Sequence, residues 1–210
     1  MYIASYCHIR QQTLTYNGEV IFKGNPGNLD AFLTDAFQFL KIAYPKFYKM
    51  DRLSKLGLLA SELLIRDSTA KRECKPDQIA LVLANAHASL DTDVRYLEST
   101  KSMASPSLFV YTLSNIVAGE ICIRHGIKGE NAFFVQPAFD ADFMAQYVNQ
   151  LLTETKNEMC LAGWADVMGE HHDVFLYLAV KEGNGIAQLH TGEELQKLYQ
   201  SNYGSVDLQS

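Results

Sequence analysis

The run Ile79-Ala80-Leu81-Val82-Leu83-Ala84 constrains the fold of this chain most. A strand with one wet face alternates apolar and polar residues, so six apolar residues in a row fit a strand buried on both faces. Two covered faces require helices, and helical patterns flank the run. After Asn28, an N-cap by residue type, Leu29, Phe32, Leu33, Ala36, Phe37 and Leu40 share one helical face, and Pro45 closes the segment. Asp51 caps a second helix with Leu53, Leu56, Ala60, Leu63 and Leu64 in step. A mostly apolar helix spans 114–125 and stops at Gly126. Another begins at Asp140, with Phe143, Met144, Tyr147, Val148, Leu151 and Leu152 in phase. Strands are expected at 2–9, 133–136, 159–162 and 174–180. A hairpin is expected over 12–23, where Asn17-Gly18 supplies the two positive-φ positions of a tight turn. Segment 71–77 reads as a charged loop, 90–106 as an irregular surface excursion, and Gly183-Asn184-Gly185 as a turn. Thr191-Gly192-Glu193-Glu194 reads as a capping box before a short helix, and the chain after Ser201 as frayed. Strands alternating with helices of this length predict a layered α/β fold, one mainly parallel sheet flanked by helices. No linker interrupts the pattern, which predicts a single domain over 1–210.

Charge and cysteine usage exclude several function classes. With 18 Lys and Arg against 24 Asp and Glu, the net charge is −6, and no basic run carries interleaved aromatics; no nucleic-acid partner is expected. No apolar stretch approaches the roughly 20 residues of a membrane helix, so no membrane is expected. Met1-Tyr2-Ile3-Ala4-Ser5 does not read as a signal peptide. Cys7, Cys74, Cys122 and Cys160 are widely spaced with no CxxC pair, which predicts reduced thiols in the cytoplasm and no metal. GxSxG, P-loop and GxGxxG signatures are missing, and no cofactor is expected.

In a layered α/β fold, sites form at the carboxyl ends of strands. The turn to consider is Phe133-Phe134-Val135-Gln136-Pro137-Ala138-Phe139-Asp140-Ala141, which joins a strand to a strongly amphipathic helix. A helix N-terminus lowers a thiol pKa and offers N–H groups to an oxyanion. This turn holds no Cys, Ser, Thr or His, and Asp140 is most simply a helix cap. His171-His172-Asp173 is the most enzyme-like cluster, but neighbours on an extended segment point to opposite sides, and an exposed loop is the plainer reading. His87 follows the buried run, where a strand end can face a pocket; packing or solvent exposure is the simpler reading. Cys122 and Cys160 read as core residues, Cys7-His8 as no dyad, and Cys74 as exposed without a base nearby. Trp164 and Tyr111 read as packing or interface residues.

Three blocks resemble β-ketoacyl-[acyl-carrier-protein] synthases. Asn115, Ala118, Gly119, Gly126, Gly129 and Asn131 match the spacing of the stretch before the family's active site, with Glu130 in place of a Pro. Lys49-Met50-Asp51-Arg52 resembles the family's K-M-D-R helix start, and Leu161-Ala162-Gly163-Trp164-Ala165-Asp166 its L-A-G-G-A-D/E strand end. The resemblance is strongest over 45–182. It implies a thiolase-like N-terminal half. The family's nucleophilic Cys lies seven residues after the Asn of G-P-N, which is Ala138 here, beside Phe139; Gln136 lies two residues early. Chain-length factors, the non-condensing partners of polyketide ketosynthases, commonly carry Gln at the Cys position, and that equivalence would need a gap here. The family's second half supplies two catalytic His residues, and no equivalent follows in this sequence.

The resemblance therefore implies a catalytically silent, chain-length-factor-like subunit. Its expected partner is a full-length β-ketoacyl-ACP synthase of a type II fatty-acid or polyketide system, by resemblance a polyene pigment pathway. No catalytic residue is expected, and acyl carrier protein is engaged only indirectly. The family dimerises through this half, pairing the edge strand before the nucleophile turn. Phe133, Phe134, Val135 and Gln136 are the expected interface, with Phe109, Val110 and Tyr111 reaching the partner's acyl tunnel. A self-associating homodimer that binds acyl chains or acyl carrier protein is the alternative. A malonyl-ACP decarboxylase using donors at Gln136 or His87 is the third reading.

Overall fold

The computed structural model describes residues 1–66, 68–182 and 188–201. Its strands are β1 (Tyr2–Arg10), β2 (Thr13–Tyr16), β3 (Glu19–Lys23), β4 (Ile79–Asn85), β5 (Asn131–Val135), β6 (Met159–Met168), β7 (His171–Val180) and β8 (Gln188–Leu189). The helices are α1 (Leu29–Phe39), α2 (Arg52–Ile65), α3 (Thr69–Glu73), α4 (Leu90–Ser99), α5 (Pro106–Val110), α6 (Ile116–His125), α7 (Ala141–Glu154) and α8 (Gly192–Gln200). The strands form one sheet in the order β3-β2-β1-β7-β6-β4-β5, with β8 also paired to β1.

The layered α/β architecture is as the sequence predicts, but the sheet is mixed rather than mainly parallel. Only β4 runs parallel to its neighbours, β5 and β6. The other pairings are antiparallel: tight hairpins make β1–β2, β2–β3 and β6–β7, and β1 also pairs antiparallel with β7 and β8, which are distant in sequence. The Asn17-Gly18 turn has φ of 49° and 86°, as its residue types require. Gly169 (φ 62°) turns the β6–β7 hairpin.

β4 is buried at all seven positions. Ile79, Leu81 and Leu83 point into a core under α1, α2 and α6; Ala80, Val82 and Ala84 point into a second core under α7 and α8. Burying side chains such as Leu56, Leu59 or Met144 contributes about 1.5–3 kcal/mol each. The helix starts follow their predicted caps: Asn28 Oδ1 accepts from Ala31 N, Asp51 from Ser54 N, Asp140 from Phe143 N and Thr191 Oγ1 from Glu194 N. Gly126 (φ 67°) ends α6 in the left-handed conformation.

Three segments differ from expectation. Residues 71–77 are not a charged loop but the end of α3, capped by Ser68, and a 3-10 turn at Pro76–Gln78. Residues 90–106 are not irregular: α4 occupies most of the segment. It buries Asp91 and Thr92 and turns Leu90, Val94 and Leu97 outward, so its pattern is inverted relative to a core-facing helix. β6 and β7 run on to Met168 and His171, past the expected strands, because the ladder continues beyond the end of the apolar core. His171, His172 and Asp173 are thus strand residues. The predicted turn at Gly183-Asn184-Gly185 and the tail beyond Ser201 lie outside the described residues.

Arg52 braces the hairpin tip. It bonds Asp30 at 2.6 Å, Glu170 at 2.9 Å and the Gly169 carbonyl at 2.7 Å. Hydrogen bonding to Arg52 lowers the Asp30 pKa. Glu170 also accepts from Leu29 N at 2.7 Å, which ties the turn to the start of α1 and lowers the Glu170 pKa.

Candidate functional site at the carboxyl rim of the sheet

Strand register sets five residues in a row. β4–β6 pairs Ala84 with Trp164, and β4–β5 pairs Asn85 with Val135. Continued to the next level, Ala86 lies between Asp166 and Gln136. Across β7, Asp166 stands opposite Asp173, and Asp173 opposite Arg10. Two residues further into the sheet on these strands, Ala84, Trp164 and Phe175 belong to the core under α7 and α8. Since side chains repeat every second residue, the row lies on that same face, as a polar rim above an apolar floor.

Two carboxylates on the rim are satisfied in different ways. Asp166 Oδ1 accepts from Ala86 N and His87 N, both at 3.0 Å, and Oδ2 stands 2.8 Å from His87 Nδ1. A carboxylate only accepts, so the ring nitrogen that faces it, Nδ1, carries a proton. Among the described residues nothing bonds His87 Nε2, and the His87 side chain is 40% exposed. Asp173 is held by Arg10 Nε at 2.5 Å and by the Tyr199 hydroxyl at 2.6 Å. Arg10 also donates to the Tyr199 carbonyl at 2.7 Å and lies 4.5 Å over its ring. Burial, then Asp173, raises the Tyr199 pKa. Below, His8 stacks 5.0 Å from Phe175; burial, aided by Arg10, pushes its pKa down to about 4.

The turn from β5 to α7 borders this rim. Gln136 N donates to Asn85 O at 2.9 Å, and its buried Oε1 has no hydrogen-bond partner among the described residues. Phe139 is buried 4.6 Å from Tyr199 and 5.4 Å from Phe175, while Pro137 and Ala138 are exposed. A cleft of about 690 Å³ separates this turn from α8, lined by Gln136, Ala138, Asp142, Gln196 and Lys197 among others. Ala138 presents only a methyl group where a helix N-terminus could activate a nucleophile.

The remaining singled-out residues scatter. β5 is an edge strand, as the interface expectation needs. Phe133 packs half-buried towards the α1/α2/α6 core, Phe134 against Phe143 and Tyr147 of α7, and Val135 is 59% exposed. Phe109 and Val110 are exposed at 59% and 49%, whereas Tyr111 is buried with its hydroxyl on Glu120. Cys160 is buried and Cys122 half-buried, burial raising the latter's pKa to about 11. Cys7 is buried and pushed to about 12; adjacent on β1, it faces away from His8. Cys74 is half-buried rather than exposed. His172 accepts from Gln12 N at 3.4 Å and stacks near Phe32, whereas Asp173 faces α8, so the two diverge as strand geometry requires. Trp164 is packed in the core.

The His87–Asp166 pair escaped sequence reasoning. Both residues were visible at strand ends, yet 79 positions separate them, and only the parallel β4–β6 register brings them together.

The β-ketoacyl synthase N-terminal domain model matches residues 19–181. Among solved structures, the ishigamide ketosynthase/chain length factor aligns with a TM-score of 0.60 at 16% identity, covering 86% of this chain and 62% of that one. A type II polyketide ketosynthase bound to the hexaketide in complex with its acyl-carrier protein, AntDE:AntF, gives 0.57 at 13% identity, with 86% and 62% covered. The ketosynthase ApeO in complex with its chain length factor ApeC, from Xenorhabdus doucetiae, gives 0.50 at 12%, with 95% and 90% covered. The chain spans less than two thirds of the first two of these proteins, and at such identities the likeness is one of fold. The sequence matches no curated protein. The family match runs from β3 to the end of β7, through all three blocks quoted above, and this chain belongs to the β-ketoacyl synthase N-terminal domain family.

Proposed function

We infer that this chain is a non-condensing, chain-length-factor-like subunit that pairs with a full-length β-ketoacyl-ACP synthase in type II fatty-acid or polyketide biosynthesis. One observation carries the reading. Of the fourteen large apolar side chains exposed among the described residues, nine lie in the segment from Leu90 to Val135, which ends in the edge strand β5. An unpaired strand edge that exposes Val135, in a segment with so many exposed apolar side chains, calls for a partner. The turn behind that edge offers Ala138 and no nucleophile, which removes the acyl-enzyme step that condensation needs. Two of the structural relatives are described as ketosynthase and chain length factor together, which supports the same pairing here.

In this reading the whole chain acts as one domain, in the cytoplasm, without a cofactor. No helix among the described residues is long and apolar enough to cross a membrane. Carrier protein docks on the partner, since this chain is itself acidic. Phe109 and Val110 extend from α5 as steric stops for the partner's growing acyl chain. The test is co-expression with the full-length ketosynthase encoded nearest, and mass measurement by light scattering. A 1:1 complex that condenses only with both subunits present supports the reading. Two separate species, with this chain a homodimer, sink it in favour of an acyl-binding role. The exposed His87, held by Asp166, favours a second reading, decarboxylation of a malonyl-carrier protein; carbon dioxide release by the chain alone would select it.

A further inference from the structure

We propose that the connection from α1 to α2, together with the last turn of α6, is a peripheral docking surface for an anionic lipid bilayer. On a chain of net charge −6, residues 36–50 carry Lys41, Lys46 and Lys49 and no Asp or Glu. Contacts join this connection and α6 into one patch. Pro45–Lys49 is a 3-10 turn, and Phe47 is its buried residue, stacked 4.0 Å from Phe37. With about three residues per turn and Phe47 inward, Lys46, Tyr48 and Lys49 face outward, and all three are exposed. Lys46 Nζ reaches Glu120 of α6 at 2.7 Å. Ile123 and Arg124 follow Glu120 by three and four residues, on the same side of that helix. Arg124 lies 4.9 Å over the Tyr44 ring and donates to the Ala43 carbonyl at 3.4 Å. Ile123, 68% exposed, and Tyr48, 57% exposed, thus stand beside the cations.

Helix-end charge alone does not explain the patch. Lys41 follows the end of α1, where a cation suits the helix dipole, but that accounts for one lysine of three. Lys41 also holds φ at 51°, a conformation that favours glycine, so the backbone gives no reason for a lysine there. Among the described residues Lys41 and Lys49 have no ion-pair partner. The carboxylates that pair with Lys46 and Arg124 are Glu120 and Glu62, both buried beneath them, so the patch presents positive charge outward.

The partner follows from this mixture. The unpaired cations are lysines, hydrated point charges that attract anionic headgroups without a fixed geometry. Arg124, which could bind a carboxylate of a protein partner through two bonds, is already engaged by Glu62 and Ala43. An isoleucine and a tyrosine among the lysines match the apolar layer that lies behind headgroups. Acidic residues elsewhere on the chain oppose docking little, because physiological salt screens charges over about 8 Å. The expectation of no membrane partner rests on the missing spanning segment, which peripheral docking does not need.

The test uses the full chain in flotation assays with vesicles of equal phosphatidylglycerol and phosphatidylcholine, and with vesicles of phosphatidylcholine alone. Binding is expected only to the first and should weaken with salt. Lys41→Gln combined with Lys49→Gln should weaken it roughly 30-fold, about fivefold per lysine. Ile123→Ser should weaken it about tenfold, as for about two methylene groups withdrawn from the bilayer. Lys101→Gln combined with Lys156→Gln removes the same charge from exposed sites outside the patch and should bind as the wild type does. Thermal melts confirm that each variant folds. Equal binding to both kinds of vesicle, or a folded Lys41 and Lys49 double variant that binds like the control, overturns the proposal. Saturable binding of poly-glutamate with none to vesicles also overturns it, and assigns the patch to an acidic protein instead.

Discussion

Val135→Pro separates association from folding. The ladder between β4 and β5 ends in Leu81 N to Glu130 O and Gln136 N to Asn85 O, both at 2.9 Å. In a parallel pair, alternate residues bond the neighbour, so even-numbered residues of β5 face β4 and the odd-numbered ones present N–H and C=O to the open edge. Proline at 135 therefore removes one outward N–H, breaks no bond to β4 and replaces a side chain that is 59% exposed. Edge strands tolerate proline in that orientation, and folding stability should change by about 1 kcal/mol or less. If β5 pairs with a partner strand, the substitution deletes a donor and leaves a partner carbonyl unsatisfied. The two losses together cost about 2–4 kcal/mol, or about 30- to 1000-fold in Kd. Calorimetric titration against the ketosynthase, with a denaturant melt of each variant, measures both quantities. Ala132→Pro is the control: it removes a β4 bond and should unfold the chain, whereas Val135→Thr should leave both quantities near wild type. Unchanged affinity for a folded Val135→Pro would refute edge pairing.

Other expectations follow from the packing. Phe109→Ala should leave the melt unchanged and lengthen the product made with the ketosynthase; unchanged product length and affinity would count against the steric stop. Arg124→Ala strands Glu62, 2% exposed on its side chain and paired with Arg124, so a loss of about 3–5 kcal/mol is expected in a urea melt. Gly163→Ala should fail to fold, because a Cβ there would lie 2.0 Å from Phe175 O and the residue holds φ at 143°. Burial pushes the pKa of both His8 and His190 down to about 4. Below about pH 6.5 the unfolded chain binds protons that the folded chain refuses. The stability these residues contribute is thus complete above that pH and lost as pH falls towards 4, by up to about 3 kcal/mol each. Melts at pH 7 and pH 5 should show the drop, and His190→Gln should reduce it.

The parts of the fold that proved legible were those where burial and residue type agree. β4 announced itself because every position is covered, and the caps at Asn28, Asp51 and Asp140 because short polar side chains precede apolar helices. α4 was hidden because its apolar residues face outward, so the pattern that marks a core helix is absent. The lengths of β6 and β7 were hidden because hydrogen bonding outlasts hydrophobicity at Asp166, His171 and Asp173. The turn at Ala138 was read from residue types and spacing alone. The partner of His87 depends on register between strands distant in sequence, which no local pattern carries.

The two ends of the sheet differ in kind. β3 begins and ends with exposed Glu19 and Lys23, and its ladder with β2 is broken by a register shift after Leu14. Such an edge repels a further strand, whereas β5 is a five-residue edge strand without a charged side chain that exposes Val135. A molecule with one receptive edge and one blunted edge cannot add copies end to end. Were β5 to pair with a partner strand, growth would stop once that edge is used, and the sheet would close at two chains rather than extend into a fibre.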